Sequence, residues 1–233
     1  MRIKPPAVDY RKLRPGNLNS ETFRHVKLLL FWPVFGLLFS FVERFYPVQQ
    51  YYVMHCRLDD WIPFNEYFLI PYLFWFVFMI GTLLYTLFYD TQAFTKMMRF
   101  VIFTYSITMA VYLLFPTCQE LRPESFERDN LLTRFVAGFY QFDTNTNVCP
   151  SIHVLGSFAA MFGGWSCRGL QKPGWKIVYA VITVLICMST VFLKQHSILD
   201  VLAALPLSAA GYVLCVRERK KGKACRKARE IYQ

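Results

Sequence analysis

Apolar residues run along this chain in long blocks separated by short polar and charged segments. Six blocks approach the roughly 17–25 residues that carry a helix across a bilayer. They predict spans over residues 27–42, 64–89, 100–115, 152–165, 177–193 and 198–216. The first and fourth are short. The fourth carries Gly156, Ser157, Ala159, Ala160, Gly163 and Gly164, small residues of the kind that let a helix approach its neighbours closely inside a membrane. The pattern predicts an all-α polytopic membrane protein, a six-transmembrane-helix bundle. A basic leader occupies residues 1–26, the membrane domain 27–216 and a basic tail 217–233. The longest loop, 117–151, has apolar residues at near-helical spacing over 131–140, which predicts a short interfacial helix. A loop of this length is usually functional. The loop over 43–63 is rich in aromatic residues (Phe45, Tyr46, Tyr51, Tyr52, Trp61), which favour the membrane–water interface.

Composition agrees with a membrane protein. The chain is 55% hydrophobic and 18% aromatic, more apolar than an ordinary soluble domain. It shows no internal repeat and no low-complexity segment. The first 27 residues are polar and basic, without the short apolar core of a signal peptide, and Pro5, Pro6, Pro15 and Gly16 mark residues 1–22 as a mobile or surface-lying leader.

The net charge of +11 raises nucleic acid as a partner, but its distribution argues against one. With six spans, 20 of the 26 Lys and Arg residues fall on one side: in the leader, a loop around Lys96 and Arg99, the 168–176 loop and the tail. The positive-inside rule makes that side cytoplasmic, with both termini on it. The basic run Arg219-Lys220-Lys221-Gly222-Lys223 is then either a contact for anionic lipid headgroups or a solvated tail that only sets topology. The seven cysteines have no zinc spacing and no CxxC pair. Cys167, Cys187 and Cys215 read as packing residues. Cys56, Cys118 and Cys149 fall on the outer side, where a disulfide is allowed.

Two short segments carry the candidate chemistry. In Lys194-Gln195-His196-Ser197-Ile198-Leu199-Asp200, His196 and Asp200 share a helix face. A carboxylate beside an imidazole fixes its tautomer and prepares a base or nucleophile. Asp200 lies one turn inside a span, where an isolated carboxylate costs roughly 2.5–3.5 kcal/mol on insertion scales, so it needs a partner. The bland alternative is a polar pair that only locks two helices together. In Cys149-Pro150-Ser151-Ile152-His153, Ser151 is a good N-cap, and the helix start it makes suits a phosphate oxygen. His153 is a candidate proton donor, or else a plain interfacial histidine. Arg122, in Arg122-Pro123, has the fork that matches two phosphate oxygens, or pairs with Glu120 or Glu124. Lys194 is a second candidate cation, or a lysine snorkelling to the interface. All three segments fall on the outer face. The acidic loop residues Glu120, Glu124, Glu127 and Asp129 lack dense metal-ligand spacing.

Taken in chain order, these three segments resemble the three motifs of the type 2 phosphatidic acid phosphatase superfamily of membrane lipid phosphatases and phosphotransferases. Those motifs are Lys-x6-Arg-Pro, Pro-Ser-Gly-His and Ser-Arg-x5-His-x3-Asp. The resemblance covers roughly residues 97–216. The chain departs from it at Phe115, Ile152 and Thr190, which replace the lysine, the glycine and an arginine, so two phosphate-binding cations are missing from their usual places. The runs Phe-Pro-Thr, Cys-Pro-Ser-Ile-His and Leu-Lys-Gln-His are similar to the branch that contains inositol phosphorylceramide synthases and their bacterial relatives, which pass a phosphoryl headgroup to an alcohol. The resemblance implies a metal-independent enzyme without cofactor, integral to a bacterial plasma membrane, acting on a phospholipid or lipid phosphate at the extracytoplasmic face. It implies His196 as the nucleophile that becomes a phosphohistidine, Asp200 as its partner, His153 as the proton donor, and Arg122, Ser151 and Lys194 as the phosphate-binding set. It favours headgroup phosphotransfer over plain hydrolysis of phosphatidic acid or a polyprenyl diphosphate. The lost cations leave a catalytically inactive lipid-binding protein as the rival. No pair of broken spans in matching halves points to a transporter.

Overall fold

Each apolar block folds as a helix, and the polar residues at its edges decide where it begins and ends. The structure, a computed structural model, describes residues 5–217. A 3-10 stretch, Arg24–Leu30, leads into α1 (Phe31–Arg44). The loop that follows holds β1 (Tyr52–Val53) and a short helix, α2 (Arg57–Trp61). A turn over Glu66–Phe68 opens α3 (Leu69–Tyr89), and one residue later α4 (Thr91–Leu114) begins. The long loop holds β2 (Thr117–Cys118) and α5 (Leu131–Phe142), followed by α6 (Ile152–Ser166), α7 (Pro173–Phe192) and α8 (Ile198–Gly211). α8 contains Pro206 and runs on as a π-helical turn, Tyr212–Val216.

Among the described residues, five segments are long and apolar enough to cross a membrane: Arg24–Arg44, Glu66–Tyr89, Thr91–Leu114, Pro173–Phe192 and Ile198–Val216. The protein is therefore an integral membrane protein. Large apolar side chains such as Leu37, Phe41, Ile70, Val77, Val181 and Val184 are exposed on the helix surfaces, as lipid-facing positions should be. Inside, threonines are buried, and Thr86 and Thr104 donate to the carbonyls of Thr82 (2.8 Å) and Phe100 (2.9 Å) one turn back. Their hydroxyls thus find partners without water.

The sixth predicted span is the exception. α6 has 15 residues, about 22 Å at 1.5 Å per residue, against a hydrocarbon core of roughly 30 Å. It is the central helix, packed on α3, α4, α7 and α8. Its small residues allow this. A Cβ on Gly156 would lie 2.7 Å from the Tyr105 hydroxyl and 2.8 Å from the Trp75 ring, and one on Gly164 would collide with the Tyr179 ring. α6 also reaches from the start of α8 to the α3–α4 junction. At one end the amide before it, Ser151 N, donates to the carbonyl of Asp200. At the other end, just beyond it, Arg168 N donates to Asp90 Oδ2 (2.9 Å).

The third span requires a correction. Residues around Lys96 and Arg99 are not a loop, because α4 starts at Thr91. Asp90 is its N-cap, accepting from Ala93 N (3.1 Å), and the first helical turns are polar. A search for apolar runs starts such a helix too late. The leader lies on the surface and is docked there. Tyr10 donates to the Leu87 carbonyl (2.7 Å) and bonds the His25 ring (2.7 Å), and Ala7 N donates to the Phe88 carbonyl. Arg2, Lys4 and the basic run from Arg219 lie outside the described residues. The 131–140 prediction corresponds to α5, whose N-cap is Asn130.

The loops over 43–63 and 117–151 are knitted together. β1 pairs in parallel with β2, Tyr52 opposite Thr117 and Val53 opposite Cys118. Glu43, at the end of α1, accepts from Thr144, from Thr146 (3.1 Å) and from Asn147 Nδ2 (2.6 Å). Cys56, Cys118 and Cys149 are free thiols.

Candidate active site

The site is built where α7 ends and α8 begins. α7 closes with paired bonds, Gln195 N to the Thr190 carbonyl and Lys194 N to the Val191 carbonyl, both 3.0 Å. This is the Schellman arrangement, which needs a left-handed residue after the helix. That residue is Lys194, at φ 53°, where glycine is usual. The reversal delivers Gln195, His196 and Ser197 in succession. Ser197 then caps α8: its hydroxyl accepts from Leu199 N (3.1 Å), and its own amide donates to Asp200 Oδ2 (3.0 Å), a capping box.

The same Asp200 oxygen lies 3.1 Å from His196 Nδ1. A carboxylate only accepts, so Nδ1 carries the proton and Nε2 holds the free lone pair. Asp200 is fully buried and His196 nearly so. The Cys149 thiol lies beside Asp200. Burial first, then the Asp200 charge, push it up to about 12, so it stays protonated there.

The second segment is presented by α4. Tyr112 donates to the Pro150 carbonyl (2.8 Å) and Tyr105 to the Ile152 carbonyl (3.2 Å). Ser151 caps α6, accepting from Val154 N (3.4 Å). His153 then projects between two rings of α3, with centroids 4.7 Å from Tyr72 and 4.6 Å from Trp75. Its centroid is 5.8 Å from that of His196. His153 Nδ1 is buried without a hydrogen-bond partner among the described residues.

A cavity of about 40 Å³ lies over the two histidines, walled also by Asp143, Asn147, Ile152 and Gln195. At roughly 10–15 Å³ per water, it holds a few waters or one phosphoryl-sized group. Burial raises the Asp143 carboxyl above the usual carboxylate range, against the pull of Arg122 and then His196.

The structure brings together His153, His196 and Asp200. It places the three expected phosphate-binding residues behind the cavity rather than on its wall. Ser151 is a buried cap. Arg122 Nη1 donates to the carbonyls of Tyr140 (3.0 Å) and Asp143 (2.9 Å), and Nη2 to the Thr144 carbonyl (2.9 Å) and Gln195 Oε1 (2.8 Å). Its guanidinium also stacks on Tyr140, 4.6 Å from the ring centre. Lys194 points the other way, its Nζ donating to the Asp59 carbonyl (2.7 Å).

Asp59 was invisible in the sequence. It lies in α2, fully buried, and accepts from the Ser197 hydroxyl (2.6 Å), Ile198 N (2.8 Å) and Cys56 N (2.9 Å). Burial raises its pKa, but these hydrogen bonds prevail and hold it below the usual carboxylate value. An Asp-Asp-Trp run in an aromatic loop carries no periodic or motif signal, and only the third dimension shows what Asp59 holds. Among the described residues, no three His, Cys, Asp or Glu side chains are placed to hold a metal ion.

No curated protein and no solved structure matches the chain. A sequence model of the PAP2 superfamily, the type 2 phosphatidic acid phosphatase group, matches residues 98–222. That stretch is more than half of the chain and contains Arg122, His153, His196 and Asp200. The two histidines that meet over one small cavity thus lie within the region that defines the family, and the chain belongs to the PAP2 superfamily.

Proposed function

We propose that the protein is a lipid phosphotransferase or phosphatase of this superfamily, working through a phosphohistidine on His196 and inclined to pass the phosphoryl headgroup to an alcohol. The observation that carries this reading is the His196–Asp200 bond with His153 across the same cavity. With Nδ1 held by Asp200, Nε2 of His196 is the nucleophile. It bonds phosphorus as the bond from phosphorus to the leaving oxygen breaks, and His153 gives that oxygen a proton. In the second half His153 takes the proton of the incoming hydroxyl. The hydroxyl oxygen then bonds phosphorus as the nitrogen–phosphorus bond breaks. Asp200 stabilises the charged His196 ring in between.

Two features support transfer over hydrolysis. The loop over the site is held down by Glu43, Arg122 and the β1–β2 pairing, and the cavity beneath it is small. Both limit the water that reaches a phosphohistidine. In this reading α6 counts as a sixth, short span, both termini are cytoplasmic and the site faces the outside of a bacterial plasma membrane. The helix ends agree with one another: the C-terminal ends of α1, α4 and α7 and the N-terminal ends of α3, α6 and α8 all meet at the site.

Partitioning in purified, detergent-solubilised protein tests the proposal. A radiolabelled diester phospholipid and a lipid monophosphate are each supplied with and without inositol, glycerol or a lipid alcohol. From the diester, the released phosphomonoester and any new diester are measured; from the monophosphate, inorganic phosphate and any new phosphomonoester of the alcohol. An alcohol-bearing product that grows with alcohol concentration is expected. Rapid release of inorganic phosphate from the monophosphate, with no alcohol-bearing product in any alcohol, would make the protein a phosphatase.

A further inference from the structure

Phe115 and Thr190 stand where the family motifs carry two cations. Lys194 donates to the Asp59 carbonyl, and Arg122, which does not line the cavity, donates to the carbonyls of Tyr140, Asp143 and Thr144 and to Gln195 Oε1. A phosphoryl group at His196 Nε2 would still need hydrogen-bond donors for its non-bridging oxygens. Transition-state charge left without them is poorly stabilised.

One buried donor is in place. Gln195 directly precedes His196, is 3% exposed and lines the same cavity. Its Oε1 accepts from Arg122 Nη2 (2.8 Å). An arginine can only donate, so the amide has one orientation, with oxygen towards Arg122 and Nε2 on the other side. Nε2 is buried and has no hydrogen-bond partner among the described residues. A buried amide N–H without a partner is costly to fold around. A ligand oxygen would relieve that cost at this point.

We propose that Gln195 is a phosphate ligand of this site: its Nε2 donates to a non-bridging oxygen of the phosphoryl group carried by His196, in place of the cations lost from the motifs. Arg122 is then a positioning residue that locks the amide. The neighbouring order Gln195-His196 sets donor and nucleophile on one turn, so they move together. Neither residue nor ligand changes its bonding through Gln195, which only stabilises charge.

The inference rests on the function proposed above, and its test separates the two. Gln195→Glu keeps the shape and the bond to Arg122 but replaces the donor nitrogen with an oxygen. Gln195→Met keeps the length and loses both atoms. Three quantities are measured on each purified protein: turnover of a lipid monophosphate, inhibition by orthovanadate, and the shift in melting temperature caused by inorganic phosphate. Both variants should lose about 100-fold or more in kcat, the size of effect seen when one oxyanion donor is removed. They should also lose at least tenfold in vanadate affinity and give up the phosphate-induced shift. Gln195→Glu should still melt at or above the wild-type temperature, which excludes misfolding as the cause. Variants within threefold of wild type in turnover and vanadate affinity would overturn the assignment and leave the function intact. A wild-type protein that is inert towards lipid phosphates, yet is stabilised by phosphate only when Gln195 is present, would keep the ligand and sink the enzyme. Wild type blind to substrate, vanadate and phosphate alike would overturn both.

Discussion

Asp59 and Ser197 are 138 residues apart in the chain and 2.6 Å apart in the structure. Through that bond the loop between α1 and α3 holds the start of α8, and with it the capping box that aims Asp200 at His196. Asp59 also receives the Ile198 amide (2.8 Å), and its carbonyl receives Lys194 (2.7 Å). One short helix therefore clamps both sides of His196. Asp59→Ala leaves a buried hydroxyl and two amides without an acceptor. At about 1.5–3 kcal/mol for a hydrogen bond to a charged group, a loss of several kcal/mol in stability is expected. It should be read from thermal melts in detergent, together with a fall in kcat. Hydrogen bonds hold the folded pKa of Asp59 below its unfolded value. The stability it contributes is therefore present above the unfolded pKa and lost as pH falls through the folded one. Wild type should lose stability in acid more steeply than Asp59→Ala. Equal acid profiles would remove Asp59 from this role.

The role proposed for His196 makes a separable prediction. His196→Ala should abolish turnover and all acid-labile labelling by a phosphate-labelled lipid. Asp200→Asn should lower turnover by about 10²–10⁴-fold, within the range of general acid–base effects. His153→Ala should stop the cycle with natural substrates, yet still allow a phosphoenzyme to form from an ester whose leaving group needs no proton, such as a nitrophenyl ester. Vanadate should inhibit, and EDTA should leave activity unchanged. Labelling that survives His196→Ala would show that another group attacks phosphorus.

Lys194 makes a prediction that departs from its sequence reading. It was expected to bind phosphate, but its side chain is tied to Asp59 and its backbone is left-handed. Non-glycine residues held in that region cost on the order of 1–3 kcal/mol. Lys194→Gly removes the backbone cost and the Asp59 bond together. The two effects oppose, so the melting temperature should change little, while kcat stays within about tenfold of wild type. A thousandfold loss of kcat at unchanged stability would return Lys194 to the phosphate.

How much of this was legible beforehand follows from the kind of signal each feature leaves. Five of the six predicted spans were readable because a bilayer demands long apolar runs. The start of α4 was misplaced because Asp90 and the polar turns after it look like a loop until the cap is seen. That His153, His196 and Asp200 come together was readable because their spacing is local and their residue types are rare in apolar blocks. Ser151 was readable as a cap for the same reason. Asp59 and Glu43 were not, since each acts on a partner over a hundred residues away. The direction taken by the Arg122 and Lys194 side chains was not readable either. Motif spacing places a backbone, while the choice between a cavity and a nearby carbonyl is settled by packing. Gln195 was quoted as part of its motif, yet its role needed the orientation that Arg122 imposes on its amide.

Asp143 supplies the last prediction, and its sign is opposite to that of Asp59. Its carboxyl shares the cavity with both histidines, and burial raises its pKa above the usual carboxylate range, with Arg122 and His196 opposing. A carboxyl whose folded pKa is raised stabilises the fold only below its unfolded pKa. That contribution is lost as pH rises through the folded value. At neutral pH the charged form is a cost to the fold, and it also repels a phosphoryl oxygen in the same small space. Asp143→Asn keeps the shape and removes the charge. It should melt at a higher temperature than wild type near pH 8, with the difference closing as pH falls towards 4. It should also lower KM for a lipid monophosphate at neutral pH, with the KM of wild type falling to meet it in acid. Melts and KM values measured across that range check both parts. If Asp143→Asn were less stable than wild type at pH 8, the Asp143–Arg122 pair, 3.8 Å apart, would outweigh burial, and the carboxylate would belong to the framework that holds Arg122 in place.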